Sequence, residues 1–276
     1  MLGARGSLTL DDLPAFAKQT LGLHGLTFST DLLAGAGRAR LRELRDRTDK
    51  ESCSILVLDE PEAQPLGDTD ESVADTAQER IRRILEAAGE LGCNSAAVPI
   101  AGSSDEATEE RVVERLKRLM RLAEQRDINL LLSPRRGLTS DPERVTALIK
   151  KIGGFRVGTM PDFQTAAESG DAAAYLRRLT PYASAVTAAT MNFLPVDPEA
   201  DPAAPDTPCA HDPYDLAVMI DAVASVGYDG SVAIDYRGKG DLTLGLLRSR
   251  IALEVAVSGE PPIAEIPLDD EEEDES

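Results

Sequence analysis

Two adjacent arginines, Arg135 and Arg136, are the clearest candidates in this sequence for binding an anion. They follow the apolar segment Ile128–Leu132 through Ser133 and Pro134. Guanidinium groups can hold a phosphate or a carboxylate through paired hydrogen bonds, so the two arginines are candidate substrate-binding residues. The alternative is a solvated loop in which the arginines pair with nearby acids.

A second candidate segment is acidic. Asp59, Glu60 and Glu62 come directly after the apolar segment Ile55–Leu58, which is predicted to be a buried strand. Carboxylates in this position could bind a cation or the hydroxyl groups of a sugar. The sequence favours the simpler interpretation, in which they form an acidic surface loop.

Few groups in the chain can transfer a proton near neutral pH, because His24 and His211 are its only histidines. His24 lies before an apolar strand and is predicted to be structural. Residues Pro195 to His211 form a Pro-rich segment that is predicted to be a long loop. A metal site there is disfavoured, because its candidate ligands mix soft and hard donors: Cys209, His211, Asp212, Asp201 and Asp206.

Strand and helix patterns alternate along the chain, which is typical of a parallel α/β fold. The pattern contains eight helices but seven strands, because the chain enters directly into a helix that we expect to begin at Thr9. A length of 276 residues, 42% of them hydrophobic, suits one barrel. The sequence therefore predicts a TIM (β/α)₈ barrel whose first strand is missing or eroded. An open seam, or a true start that lies upstream, would also explain the count.

We expect the barrel to cover residues 1–258, followed by a Pro-containing exit and an acidic tail over residues 259–276. The run Asp269–Ser276 carries like charges and is predicted to be disordered. The formal net charge of −20 argues against a nucleic-acid partner, since such binding needs cations to neutralise phosphates.

The expected location is the cytoplasm. Three cysteines far apart in sequence, without a signal sequence, indicate a reducing compartment. No apolar run is long enough to cross a bilayer, so no membrane partner is predicted. An oligomer is compatible with the sequence.

Several segments of the chain, in order, resemble one family, the xylose-isomerase-like sugar phosphate isomerases and epimerases. The resemblance is strongest from Asp127 to Gly238. The segments that carry it are Leu85–Gly92 (LEAAGELG), Asp141–Phe163 (DPERVTALIKKIGGFRVGTMPDF), Pro181–Phe193 (PYASAVTAATMNF) and Gly227–Gly238 (GYDGSVAIDYRG).

The resemblance implies an active site at the carboxyl ends of the barrel strands, where members of this family hold a divalent cation with two Glu, one Asp and one His. Such a site suits Mn²⁺, Mg²⁺ or Zn²⁺. The metal polarises a carbonyl or hydroxyl group while a carboxylate moves a proton on the neighbouring carbon.

Position by position, most of that site is replaced in this chain. Ser133 stands in place of the first Glu and Thr187 in place of the His, while Ala189 replaces a nearby Lys. The Asp is kept as Asp162, and the last Glu is matched by the shorter Asp235. Asp162 and Asp235 are therefore the candidate metal ligands. Their structural alternatives are a turn or helix cap for Asp162, and a strand-end carboxylate bonded to backbone for Asp235.

These replacements predict a diverged member of the family with a degenerate metal site, which is weakly active or non-catalytic. It would bind a small sugar-like molecule or serve as a scaffold for protein interactions. The alternative is an active isomerase or epimerase that uses a divalent cation on Asp162 and Asp235. An endonuclease of the same superfamily is disfavoured, since the chain lacks the histidines and the basic face that such enzymes need.

Overall fold

The TIM barrel predicted from the sequence is confirmed. The computed structural model describes residues 8–134, 137–202, 204 and 207–259. The parallel strands of the barrel are β1 (Gly25–Ser29), β2 (Ser54–Asp59), β3 (Ser95–Pro99), β4 (Asn129–Ser133), β5 (Val157–Thr159), β6 (Ala185–Thr190) and β9 (Ser231–Tyr236). A hairpin above β6 consists of β7 (Phe193–Pro195) and β8 (Cys209–His211), which are antiparallel.

Helices follow the strands and cover the outside of the barrel. They are α1 (Leu13–Ala15), α2 (Arg38–Lys50), α3 (Glu71–Leu91), α4 (Glu106–Arg126), α5 (Pro142–Ile152), α6 (Phe163–Glu168), α7 (Ala172–Leu179), α8 (Leu216–Ala224) and α9 (Leu242–Ser258). A π-helical turn, Phe16–Thr20, continues α1, and short 3₁₀ turns cover Thr30–Leu33 and Thr180–Tyr182. None of the helices in the described part of the chain is both long and apolar enough to span a membrane.

The strands form two parallel arcs. β1 to β5 pair in sequence order, and β6 pairs with β9 along its whole length, from Ala185 opposite Ser231 to Thr190 opposite Tyr236. Single bridges between Thr159 and Ala183 and between Asp162 and Thr187 join the two arcs. The second bridge places the segment after β5 directly beside the middle of β6.

The barrel has a seam between β9 and β1. Among the described residues no ladder of hydrogen bonds joins these two strands. A cavity of about 480 Å³ lies there, lined mainly by apolar side chains that include Phe16, Leu26 and Val232. The described residues form seven barrel strands, which agrees with the count from the sequence. Residues 1–7, where the eroded first strand was predicted, lie outside the described residues, as does the acidic tail.

Aspartates begin most of the helices. Each accepts a hydrogen bond from a backbone N–H in the first turn, which otherwise has no partner. The capping residues are Asp70, Asp105, Asp141, Asp162, Asp171, Asp215 and Asp241. Most of these helices follow a strand of the barrel, and one of the caps, Asp162, lines the cavity at the mouth of the barrel.

An Asp followed by a Pro is typical of a helix start, and the sequence predicts such starts at Asp141 with Pro142 and at Asp212 with Pro213. The first is confirmed, since Asp141 caps α5, whereas the second and the start at Thr9 are wrong. The first helix begins at Leu13 rather than Thr9, because the Thr9 hydroxyl donates to Asp12 at 2.6 Å within a preceding turn. The helix expected to start at Asp212 starts after Asp215, whose side chain accepts from the Ala217 N–H.

The interior is closely packed around β3, β4 and β6. Every residue of β3 and β6 is buried, and the helices add large side chains such as Ile81, Leu85 and Leu116. Burying a side chain of this size stabilises the fold by about 1.5–3 kcal/mol. The core therefore fixes the strand ends on which the mouth residues stand.

Candidate functional site

A cavity of about 240 Å³ opens at the carboxyl ends of the strands. Four hydroxyl side chains line it, and its charged lining residues in the described part of the chain are three aspartates and one arginine. The hydroxyl groups belong to Thr27, Ser29, Ser133 and Thr187, and the charged groups to Asp59, Asp162, Asp235 and Arg237. The cavity is thus polar, and both predicted metal ligands face it.

Asp162 stands between β5 and α6 and begins that helix. Its Oδ1 accepts from the backbone N–H of Thr165 at 2.8 Å, so the helix-cap alternative is confirmed. The side chain is 8% exposed. The bond from the Thr187 N–H to the Pro161 carbonyl, at 2.8 Å, ties this segment to β6. Backbone contacts on both sides therefore fix the position of the carboxylate.

Asp235 lies near the end of β9, two residues before Arg237. Side chains two apart in a strand point to the same face, so the two groups meet. The Arg237 Nε donates to Asp235 Oδ2 at 2.8 Å, and Nη2 lies 2.7 Å from the same oxygen. Asp235 is 47% exposed. The described partner of the Asp235 carboxylate is thus the side chain of Arg237, whereas the structural alternative predicted a hydrogen bond to the backbone.

Arg237 also reaches across the mouth to Asp162. Its Nη1 and Nη2 donate to Oδ1 and Oδ2 of that carboxylate at 3.3 and 2.6 Å, and Nη1 donates to Gln164 Oε1 at 2.7 Å. Burial lowers the pKa of Arg237, but Asp162 and Asp235 outweigh it and raise the pKa above its usual range. We call Arg237, Asp162, Asp235 and Gln164 the Arg237 cluster.

The side chains at this site differ from the set of ligands that the family resemblance implies for a divalent cation. Asp162 and Asp235 do converge, as shared ligation requires, but they converge on the Nη2 atom of Arg237. The hydroxyls of Ser133 and Thr187 supply no negative charge to offset a divalent ion. Within the described residues, no group of three or more His, Cys, Asp or Glu side chains could hold a metal ion.

Ala189, where the resemblance expects a Lys, has a different role. It is buried, and its carbonyl accepts a hydrogen bond from the hydroxyl of Tyr214. Burial, together with Asp162, raises the pKa of that phenol above its usual range. Tyr214 is therefore a neutral hydrogen-bond donor, close enough to Asp162 and Arg237 for their charges to act on it.

Neither histidine contributes a free imidazole to the mouth. His211 Nδ1 lies 2.8 Å from the Tyr214 carbonyl, and Nε2 accepts from the Met191 N–H at 3.1 Å. His24 is exposed just before β1, at the opposite end of the barrel. The segment predicted to be a long loop has β7 at its start and β8 at its end. Asp206 of the disfavoured loop metal site lies outside the described residues.

The acidic segment after β2 differs from its prediction, because Glu60 is buried rather than part of a surface loop. It is 1% exposed, and its Oε2 accepts from Arg80 Nε at 2.8 Å and from the Thr30 hydroxyl at 3.2 Å. An unpaired carboxylate would be costly at such a position. We call Glu60, Arg80 and Thr30 the Arg80 cluster.

Sequence reasoning missed Arg237 as a site residue. The signal was present, since an Asp and an Arg two apart at the end of a strand share one face. The candidate anion-binding residues Arg135 and Arg136 lie outside the described residues, directly after Pro134, which lines the cavity.

Comparisons with known proteins agree with this fold. A family model described as a xylose isomerase-like TIM barrel matches residues 16–254. No curated protein matches the sequence.

Solved structures share the fold. An L-ribulose 3-epimerase is 15% identical, with 90% of each chain covered and a TM-score of 0.72. D-psicose 3-epimerase from Clostridium cellulolyticum H10 is 16% identical, with 91% of this chain and 93% of the other covered and a TM-score of 0.71. A xylose isomerase-like TIM barrel protein from Mycobacterium smegmatis in complex with magnesium is 17% identical, with 91% and 90% covered and a TM-score of 0.64.

Proposed function

Because the chain belongs to the xylose isomerase-like TIM barrel family, we propose that it binds a small sugar-like molecule at the barrel mouth without metal-dependent turnover. In this proposal it is a diverged relative of the sugar epimerases and isomerases, weakly active or non-catalytic. The three free cysteines support a cytoplasmic location, because disulfides are rare in that reducing compartment.

The observation that carries this proposal is the hydroxyl-rich lining of the mouth cavity. Hydroxyl groups both donate and accept hydrogen bonds, as a polyhydroxylated ligand requires. Thr27, Ser29, Ser133 and Thr187 bring four of them to one cavity. Its volume of about 240 Å³ is below the roughly 300–1,000 Å³ of pockets for drug-sized ligands, which suits a monosaccharide.

A titration of ketohexoses in the presence of a chelator tests the proposal. D-fructose and D-tagatose are suitable probes, since they occur as ligands in related epimerase structures. We expect weak binding that survives chelation and falls several-fold in Thr187→Val, which removes one cavity hydroxyl at nearly constant volume. Thr146→Val is the matched control, because Thr146 is a buried threonine of α5 that does not line the mouth cavity.

Failure of every probe to bind, or equal binding by the Thr187→Val protein, would contradict the proposal.

A phosphorylated ketose tests the predicted anion contacts of Arg135 and Arg136. If those arginines hold the phosphate, the phosphorylated sugar binds more tightly than the neutral one, and the double alanine variant loses that difference.

The convergence of Asp162 and Asp235 favours a second candidate, an isomerase or epimerase that uses a divalent cation on these two carboxylates. The same sugars distinguish it from the first. Product that forms after Mn²⁺, Mg²⁺ or Zn²⁺ is added, and that is lost in Asp162→Asn, would support the second candidate.

A further inference from the structure

We infer that Arg237 is a built-in cation, whose guanidinium takes the position between Asp162 and Asp235 and keeps divalent metal ions out of the mouth. This inference deepens the proposed function, on which it rests for the identity of the site. Its test uses Mn²⁺ alone, so the two can fail separately.

The geometry places the guanidinium at the point where a shared metal would have to lie. Oδ2 of Asp162 and Oδ2 of Asp235 approach the same Nη2 atom, at 2.6 and 2.7 Å. Magnesium binds carboxylate oxygens at about 2.0–2.1 Å and calcium at about 2.3–2.6 Å. A metal bridging these two oxygens would therefore overlap with the nitrogen, so the carboxylates can hold one cation or the other.

The arginine is anchored in this position. Its backbone N–H donates to the Thr190 carbonyl at 2.7 Å, which extends the contact between β9 and β6 beyond the strand end. Gln164 holds Nη1 from the side of α6. The side chain is only 33% exposed, and the carboxylate of Asp162 is itself fixed as a helix cap. Displacing the guanidinium would thus break its contacts to three side chains, Asp162, Gln164 and Asp235.

The guanidinium of Arg237 makes four hydrogen bonds and one further ion-pair contact, from Nη2 to Asp235. A guanidinium has five N–H groups. Nε contacts Asp235, Nη1 contacts Asp162 and Gln164, and Nη2 contacts Asp162 and Asp235. With these contacts in place, the guanidinium serves to neutralise and orient the two carboxylates. Their remaining lone pairs can then accept hydrogen bonds from the hydroxyl groups of a bound sugar.

A charge-removing substitution should therefore create a metal site that the natural chain lacks. In Arg237→Ala, the carboxylates of Asp162 and Asp235 lose the positive charge between them and still face one cavity. Carboxylates completed by water are common ligands of hard divalent cations. Lysine in the same place keeps a positive charge, so Arg237→Lys should stay without a site.

The experiment is a Mn²⁺ titration followed by the electron paramagnetic resonance signal of the free ion. We expect no tight site in the natural chain. In Arg237→Ala we expect one site per chain, which binds Mn²⁺ at least about tenfold more tightly than the natural chain does. The double variant Arg237→Ala with Asp162→Asn should lose that site. Arg178→Ala is the charge control, because Arg178 pairs with Glu143 on the outer helices.

Thermal unfolding of each variant shows whether it is folded, and Arg237→Met offers a bulkier neutral replacement if the alanine variant is not. Two outcomes would overturn the inference. The first is an Asp162-dependent Mn²⁺ site in the natural chain. The second is the absence of any gain in both neutral variants, which would leave Arg237 a purely structural residue. Neither outcome depends on whether the protein binds a sugar.

Discussion

The Arg80 cluster and the Arg237 cluster use the same chemistry at the same end of the barrel, but they differ in their carboxylates: Asp162 and Asp235 line the mouth cavity, whereas Glu60 is buried. In the Arg80 cluster the carboxylate is 1% exposed and its partners come from the protein. In the Arg237 cluster Asp235 is 47% exposed and lines the mouth cavity. The comparison indicates that an arginine–carboxylate contact stabilises the fold where the carboxylate is buried, and that it remains available to a ligand where the carboxylate is exposed.

Arg80→Ala should give the largest loss of stability, because it leaves the charge of Glu60 buried without its cation. Breaking a fully buried pair costs about 3–5 kcal/mol. Since Arg80 is 45% exposed, water can partly replace it, and we expect a loss of about 2–3 kcal/mol in urea unfolding. Arg83→Ala, which removes an exposed arginine of the same helix, should change little. A loss no larger than that of the control would remove the distinction between the two clusters.

Asp162→Ala should have an intermediate effect. It removes a helix cap, worth about 1 kcal/mol, and one of the two carboxylates that hold Arg237. We expect a total loss of about 1–2 kcal/mol in the same unfolding assay. Asp171→Ala removes the cap of α7 and no described ion pair, so the difference between the two variants isolates the contact with Arg237. A loss of stability larger than that of Arg80→Ala would contradict this order, because the Arg237 cluster would then stabilise the fold more than the Arg80 cluster does.

The smallest expected effect is a pH dependence from His211. Burial lowers the pKa of its imidazole, against a smaller upward effect of the Tyr214 carbonyl. The unfolded chain therefore takes up a proton before the folded one. Stability is fully present above the unfolded pKa of about 6.5 and is lost as the pH falls from there through the folded pKa. Unfolding curves between pH 7.5 and 5 should show this loss in the natural chain and not in His211→Gln; parallel curves for the two proteins would contradict it.

The sequence predicted the scaffold better than the site, for physical reasons. The alternation of strands and helices follows from local periodicity and capping, and it is confirmed. The bond between Arg237 and Asp162 joins residues 75 positions apart, which no local pattern encodes. The burial of Glu60 was missed for the same reason, since its partner Arg80 lies on the next helix. The pair Asp235 and Arg237, by contrast, could have been found from their spacing in β9.

The metal content of the purified natural chain, prepared without chelator, tests the central claim most directly. If the guanidinium of Arg237 occupies the position between Asp162 and Asp235, elemental analysis should find Mn, Mg and Zn far below one ion per chain. The contrary result is one ion per chain that disappears in Asp162→Ala, which would mean that the two carboxylates hold a metal in spite of Arg237.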